Sequence, residues 1–212
     1  MAKQIEGVYE RILECAKKEF MEKGYMDASL RIIAANANTS TNSIYVRFGD
    51  KEGLFEAIVK PVADGLMELF GDIQETFHGF DAEVQKEQMN EYSFREMEKF
   101  LDYIYAYFDE FRLLLDASYG TKFQNFVDEL ARIEVEYTYK YLEAIGCSEI
   151  KDGSITEEIL HLVMTAYFEG VFEVVRHGMD RQTAGKYISL LEHYHAAGFD
   201  AIFAMEMQEP GR

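Results

Sequence analysis

Apolar residues recur at intervals of three and four over most of the chain, and no alternating strand pattern survives for long. That period predicts helices. Ile5, Val8, Tyr9, Ile12, Leu13, Ala16 and Phe20 outline the first, and Lys23-Gly24 ends it with a cation and a glycine suited to a left-handed C-terminal position. Ser29 is placed to cap a short second helix running to about Ala37, Ser40 a third to about Phe48, and Asp50 a fourth starting at Lys51. Pro61 falls inside this fourth pattern, so a kink or break is expected there. The period resumes through Leu66, Leu69, Phe70, Ile73 and Phe77. From His78 to about Tyr92 the chain is polar and contains glycine, and is expected to be loop with some helix. Further helices are expected over roughly 93–110, 111–118, 121–146, 156–178 and 181–206, punctuated by Gly120, Gly146, Gly153 and Gly178.

Composition agrees with an all-α reading. Two prolines in 212 residues suit long helices, and 48% hydrophobic residues suffice for a sizeable core. The length allows one domain or two small ones. No run of about 18 apolar residues is present. Met-Ala-Lys-Gln-Ile-Glu opens the chain without the apolar stretch of a signal peptide. Cys15 and Cys147 match no metal or disulfide spacing, and two isolated thiols fit a reducing cytosol. The expected location is therefore cytoplasmic.

Charge is unevenly spread. Residues 1–60 carry 9 basic and 9 acidic side chains, and residues 61–212 carry 12 basic and 30 acidic. A polyanion could approach only the first segment. The same acids would also serve as an ordinary solvated surface.

Residues 29–48 carry the most specific pattern. Two short helices, about 30–37 and 41–48, flank Asn38-Thr39-Ser40, the arrangement of a helix-turn-helix. Ala34 is small enough for close helix approach, and Asn38 tolerates the left-handed conformation a tight turn needs. Ile44 can fill the wedge between the helices, with Ile33, Ala37 and Phe48 completing a small core. The second helix opens Thr41-Asn42-Ser43, hydrogen-bonding residues at the end that a recognition helix presents to base edges. Tyr45, Arg47 and Lys51 suit phosphates. The expected DNA-binding set is Ser29, Arg31, Ser40, Thr41, Asn42, Ser43, Tyr45, Arg47 and Lys51. Two ordinary amphipathic helices with a polar turn would show the same spacing.

The stretch Ile12 to Val59 resembles the DNA-binding head of the tetracycline-repressor (TetR) family of bacterial transcriptional regulators. The matching residues are Ile12-Leu13, Ala16, Phe20, Lys23-Gly24-Tyr25, Ser29-Leu30-Arg31, Ile33-Ala34, Ala37, Ser40, Ile44-Tyr45, Phe48, Lys51-Glu52 and Leu54-Phe55. Asn38, Thr39 and Asn42 depart from the family's usual turn glycine, apolar turn residue and recognition-helix glycine. The resemblance implies an all-α homodimeric repressor. Its three-helix, helix-turn-helix head would span residues 1–50, and a ligand-binding and dimerisation bundle residues 51–212, joined by the helix from Lys51. It implies double-stranded operator DNA and a small-molecule inducer as partners, with no enzymatic activity, cofactor or metal; a DNA-binding regulator without a small-molecule ligand would carry the same head.

On apolar stripes of the helices that the family places around its ligand lie Leu66, Phe70, Phe100, Ile104, Phe126, Leu130, Glu134, Tyr137, Met164 and Phe168, the expected pocket. The aromatic content favours a ring-containing molecule, although the same residues would fill a plain core. Glu134 falls within the stripe Phe123, Phe126, Val127, Leu130, Ile133, Tyr137, Tyr141. There it could meet a cationic or hydrogen-bond-donating ligand, or lie at the stripe's edge reaching water or Arg132. The resemblance also pairs the last two helices with those of a partner subunit, through Gly170, Val174, Ile188, Leu191, Gly198 and Ile202. A rival pattern is the two Glu-x-x-His pairs, Glu158/His161 and Glu192/His195, half of a di-metal carboxylate site on a helical bundle. In a chain so rich in Glu such pairs also arise by chance.

Overall fold

The computed structural model describes the backbone of residues 2–147, 150, 153 and 155–203, and the side chains of 7–147, 150, 153, 155–199 and 201. Among the described residues there are nine α-helices and no strand. They are α1 (Ala2–Asp27), α2 (Leu30–Asn36), α3 (Thr41–Phe48), α4 (Lys51–His78), α5 (Ala82–Ala106), α6 (Phe108–Asp116), α7 (Phe126–Ala144), α8 (Glu157–Arg176) and α9 (Arg181–Phe203). Gly24 interrupts α1 with φ 72° and ψ 167°, a conformation that glycine adopts without a Cβ penalty.

The chain divides into two compact units, one of Met1–Glu68 with Tyr103–Phe126, the other of Leu69–Asp102 with Val127–Arg212. The three cuts fall within α4, within α5 and after the first residue of α7, whereas the resemblance places a boundary at 50/51.

In the first unit α1 is the spine. Its Ile12, Ala16 and Phe20 are fully buried with Ile33, Ala37, Ile44, Leu54 and Phe55. Phe20 meets Phe55 edge to face at 5.1 Å. Each fully buried Ile, Leu or Phe among these contributes on the order of 1.5–3 kcal/mol. α6 lies against α1, where the Lys17 ammonium donates to Glu110 Oε1 at 2.5 Å. Pro61 does not end α4, which runs on to His78. The ring is exposed, so water can serve the carbonyl that loses its intrahelical donor.

The second unit buries Phe70, Phe100, Phe168 and Phe172 among Leu130, Ala131, Val135, Val171, Val174 and Val175. Phe70 lies edge to face with both Phe100 and Phe168, at 6.0 and 5.6 Å. Arg181, opening α9, binds Asp102 Oδ1 and Glu98 Oε2 of α5, each at 2.6 Å. Tyr187 donates to Gly170 O at 3.0 Å.

Two expectations change. The stretch expected to be loop is helical from Ala82 on. Its buried or half-buried positions include Gln85, Met89, Tyr92 and Glu96, too polar to register as an apolar stripe. The helix expected from 121 starts at Phe126, after turns in which Thr121 Oγ1 donates to Ser118 O at 2.7 Å.

Candidate DNA-reading face and ligand cavity

α2 and α3 form the expected helix-turn-helix. Asn38 has φ 52°, and no other non-glycine among the described residues has a positive φ. Asn38 N–H donates to Ala35 O at 3.1 Å and Thr39 N–H to Ala34 O at 2.9 Å, closing the turn. Ser40 caps α3: its Oγ accepts the Ser43 N–H at 3.2 Å. Ser29 occupies the N-cap position of α2 but makes no side-chain cap bond. Instead the buried Glu19 carboxylate accepts the Ser29 N–H at 3.1 Å, tying the start of α2 to α1 where the helix dipole favours an anion.

The expected DNA-binding side chains differ in freedom. Arg31, Ser40, Asn42 and Tyr45 are exposed, while Ser29, Thr41, Ser43, Arg47 and Lys51 are half-buried. Arg47 Nη1 donates to Ser43 Oγ at 2.6 Å and to Ser43 O at 3.1 Å. Lys51 folds back onto its own head. Its ammonium reaches Met26 O at 2.8 Å and Ala28 O at 3.3 Å, and lies 4.8 Å from the Tyr25 ring. Removing Lys51 would therefore loosen the head as well as any phosphate contact. Val46, absent from the expected set, is 75% exposed on α3. An exposed valine on a recognition helix is suited to a thymine methyl, and its break with apolar burial was the one signal that marked it.

The second unit holds two adjoining cavities. The first takes up about 660 Å³, counting space open to solvent, and its walls include Phe70, Gln74, Phe77, His78, Tyr92, Glu96, Phe100, Glu134, Tyr137, Tyr141, Tyr167 and Phe168. The second takes up about 920 Å³ on the same measure, with Lys86, Phe94, Glu134, Met164, Tyr167, Glu192, His195 and Phe199 among its walls. Met89, Ser93, Glu134, Thr138, Tyr141 and Tyr167 line both. The structure thus brings together Phe70, Phe100, Glu134, Tyr137, Met164 and Phe168 of the expected pocket. Leu66, Ile104 and Phe126 are buried in the other unit, and Leu130 is buried without lining either cavity.

Glu134 does not reach out to Arg132. It accepts from Gln74 Nε2 at 2.7 Å and from Thr138 Oγ1 at 3.5 Å. Arg132 pairs instead with Asp128 at 2.9 Å. Burial pushes the Glu134 carboxyl up to about 7, and the two hydrogen bonds only partly oppose that. What exposure the residue keeps is to the cavities. Burial, with the nearby charge of Glu98, pushes Glu192 up to about 8. His78 and His195 are both lowered by burial, the former also by Lys140. Tyr167, Gln74 and Glu192 were not among the expected pocket residues. Glu192 was legible in principle, since it continues the buried series Ala184, Ile188 by one more helical turn. Gln74 and Tyr167 carried no signal.

The two Glu-x-x-His pairs are not brought together. Glu192 and His195 line the second cavity, whereas Glu158 is exposed and His161 Nε2 lies 3.0 Å from Asp128 Oδ1. Among the described residues no group of three or more His, Cys, Asp or Glu could hold a metal ion.

Of the expected partner-facing residues, Val174 and Ile188 are buried inside the unit and Leu191 is half-buried. A Cβ on Gly170 would lie 3.2 Å from Leu191 Cδ2, so the approach this glycine permits is that of α9 in the same chain. Gly198 is exposed, and the Ile202 side chain lies outside the described residues. The large apolar side chains facing outward on α8 and α9 are Ile159, Leu162, Leu190 and Tyr194, the last two 73% exposed.

A helix-turn-helix with a polar, exposed recognition-helix start on an all-helical body defines a DNA-binding regulator. Residues 12–58 match the family described as bacterial regulatory proteins, tetR family. The chain is 26% identical over 180 residues to the HTH-type transcriptional repressor AcnR of Corynebacterium efficiens, covering 74% of this chain and 90% of AcnR. Its fold is that of a transcriptional regulator from Aquifex aeolicus (TM-score 0.57, 23% identity, 88% of this chain and 99% of that one). It is also that of PfmR, a TetR-family regulator from Thermus thermophilus (TM-score 0.53, 22% identity, 92% and 94%). Residues 12–58 thus carry a DNA-binding head of the tetR type, and the chain is a DNA-binding transcriptional regulator similar to members of that family. No helix among the described residues is long and apolar enough to cross a membrane.

Proposed function

We propose that this regulator is a homodimeric, cytoplasmic repressor released from a palindromic operator by a small hydrophobic inducer. Residues 1–50 read the DNA, residues 51–212 bind the inducer and the second subunit, and the helix from Lys51 carries the signal. The observation that supports inducer binding is the first cavity, walled by Phe70, Phe77, Phe100, Phe168 and Tyr137 with polar groups such as Gln74 and Glu134 set among them, the make-up of a small-molecule site. The outward apolar side chains Leu162, Leu190 and Tyr194 of α8 and α9 support self-association, because large apolar side chains left in water favour a partner that covers them. Two heads in one dimer would enter successive major grooves about 34–36 Å apart. In this scheme the inducer binds more tightly to the conformation with the wrong head spacing.

The test is operator selection from random duplexes, followed by a thermal-shift screen of metabolites with the selected operator as reporter. A compound that raises the melting temperature and also releases the operator is the expected result. Selected sites without two-fold symmetry, or stabilising compounds that leave operator binding intact, would overturn the scheme.

A further inference from the structure

Three carboxylates line the cavities of the second unit, and they are answered differently. Glu96 is met by cations, Arg95 Nε at 2.9 Å and Lys99 Nζ at 2.6 Å. Glu134 is met by neutral donors, the amide of Gln74 and the hydroxyl of Thr138. Glu192 is 7% exposed, and its Oε1 is buried with no hydrogen-bond partner. Lys86, the lining cation of the second cavity, is exposed. The lining histidines, His78 and His195, are disfavoured as cations by burial.

Tyr167 stands by both uncompensated acids. It lines both cavities, its ring meets His195 at 4.5 Å, and its hydroxyl is raised well above the usual tyrosine value by burial, then by Glu192, then by Glu134. The aromatic walls of the first cavity and the acid pair of the second therefore adjoin.

We infer that the ligand of these cavities is an aromatic amine, its ring between Phe70, Phe100, Phe168 and Tyr137 and its tethered ammonium between Glu134 and Glu192. This rests on the cavities being the inducer site of the proposed function. A buried carboxyl without a cation must keep a proton or take up a positive partner. Both carboxyls sit close enough to neutrality for an ammonium to displace the proton into solvent. An ammonium brings three donors, enough for one oxygen of each carboxylate and the Tyr167 hydroxyl oxygen. A neutral ligand with no donor at that point leaves Glu192 Oε1 unpaired. An anion meets two acids and no buried base, a costly placement.

Three fluorescent probes with one naphthalene ring test this: dansylcadaverine with a pentyl ammonium, neutral N-pentyl dansylamide, and anionic dansyl-aminocaproate. Each is titrated into wild type, Glu134→Gln and Glu192→Gln near pH 7. The expected result is that the cation binds at least about tenfold more tightly than the neutral probe, and the anion more weakly than either. Each Gln variant should cut that preference to about threefold or less while leaving the neutral probe within about twofold of wild type. Calorimetry of the cation in buffers of different ionisation heat should show proton release. The neutral probe also reports that the variants keep a formed cavity. Equal binding of cation and neutral probe, or full cation preference in both variants, overturns the amine assignment while leaving the cavity as the ligand site. Failure of all three probes to bind overturns the amine assignment and the cavity's role together.

Discussion

The head and the second unit handle polar groups in opposite ways. In the first unit the buried polar side chains have local jobs: Glu19 holds the start of α2 and Thr121 closes a turn. Polar residues fit for recognition, such as Arg31, Asn42 and Tyr45, point to solvent. In the second unit Gln85, Glu96, Thr138 and Glu192 are buried, Glu134 and Tyr167 face cavities, and apolar Leu190 and Tyr194 point outward. Charge also separates the head from the rest of the chain, balanced over residues 1–60 and strongly acidic beyond. A surface that reads a large polyanion must carry its chemistry outside and stay uncharged enough to approach. A site that encloses a small molecule must turn its chemistry inward and leave part of its core unfilled.

The largest expected effect breaks or keeps that contrast directly. Phe20→Ala, in the filled core of the head, should cost about 3–5 kcal/mol in denaturant unfolding. Phe70→Ala, at a wall that already lacks neighbours on one side, should cost about half as much. Equal losses would mean that the second unit is as tightly filled as the first.

Next comes the outward apolar face. Leu190→Glu should convert a dimer to monomers in sedimentation and weaken operator binding about a hundredfold or more, because two linked heads then act singly. Leu191, lodged against Gly170 in its own chain, is the control for a purely internal defect. A Leu190→Glu dimer of wild-type strength would move the interface elsewhere.

The inward acids should give the ligand-free protein a pH dependence. Folded-state values near 7 for Glu134 and 8 for Glu192 lie above the ordinary 4.5. The folded chain therefore holds protons that the unfolded chain has lost between about pH 4.5 and 8, and stability falls as pH rises through that window. Melting temperatures across that range should slope less in Glu192→Gln. An unchanged slope would show that water reaches the carboxyl in solution.

The smallest effect belongs to the outward chemistry of the head. Asn42→Ala should lose about 1–3 kcal/mol on the selected operator and relax preference at one base position, with the fold unchanged. Val46→Ala should lose less, and only where a thymine methyl is present. If neither change alters affinity or preference, the reading face lies off the start of α3.

The helix-turn-helix was legible because every requirement is local. Asn38 supplies the left-handed turn, Ser40 the cap, and Ala34 and Ile44 the wedge, all within a span where spacing dictates geometry. The wall of the cavity was not legible in the same way. Residues 82–92 resembled a loop because the inward face of that helix carries Gln85, Met89 and Tyr92 instead of an aliphatic stripe. Periodicity reports a helix only when one side is uniformly apolar, and a helix facing a partly polar cavity breaks that condition.

By itself the sequence determined the helical class, the reading head and the asymmetry of charge, since period, turn chemistry and counted residues need no partner from elsewhere in the chain. Only the tertiary structure decided that Glu134 meets Gln74 rather than Arg132, that Lys51 grips Met26 and Ala28, and that Glu192 is left with an unpaired oxygen beside Tyr167. Each depends on residues far apart in sequence. Desolvation and hydrogen bonding at such a site are set by which side chains the fold brings within a few ångströms, and no local pattern encodes that.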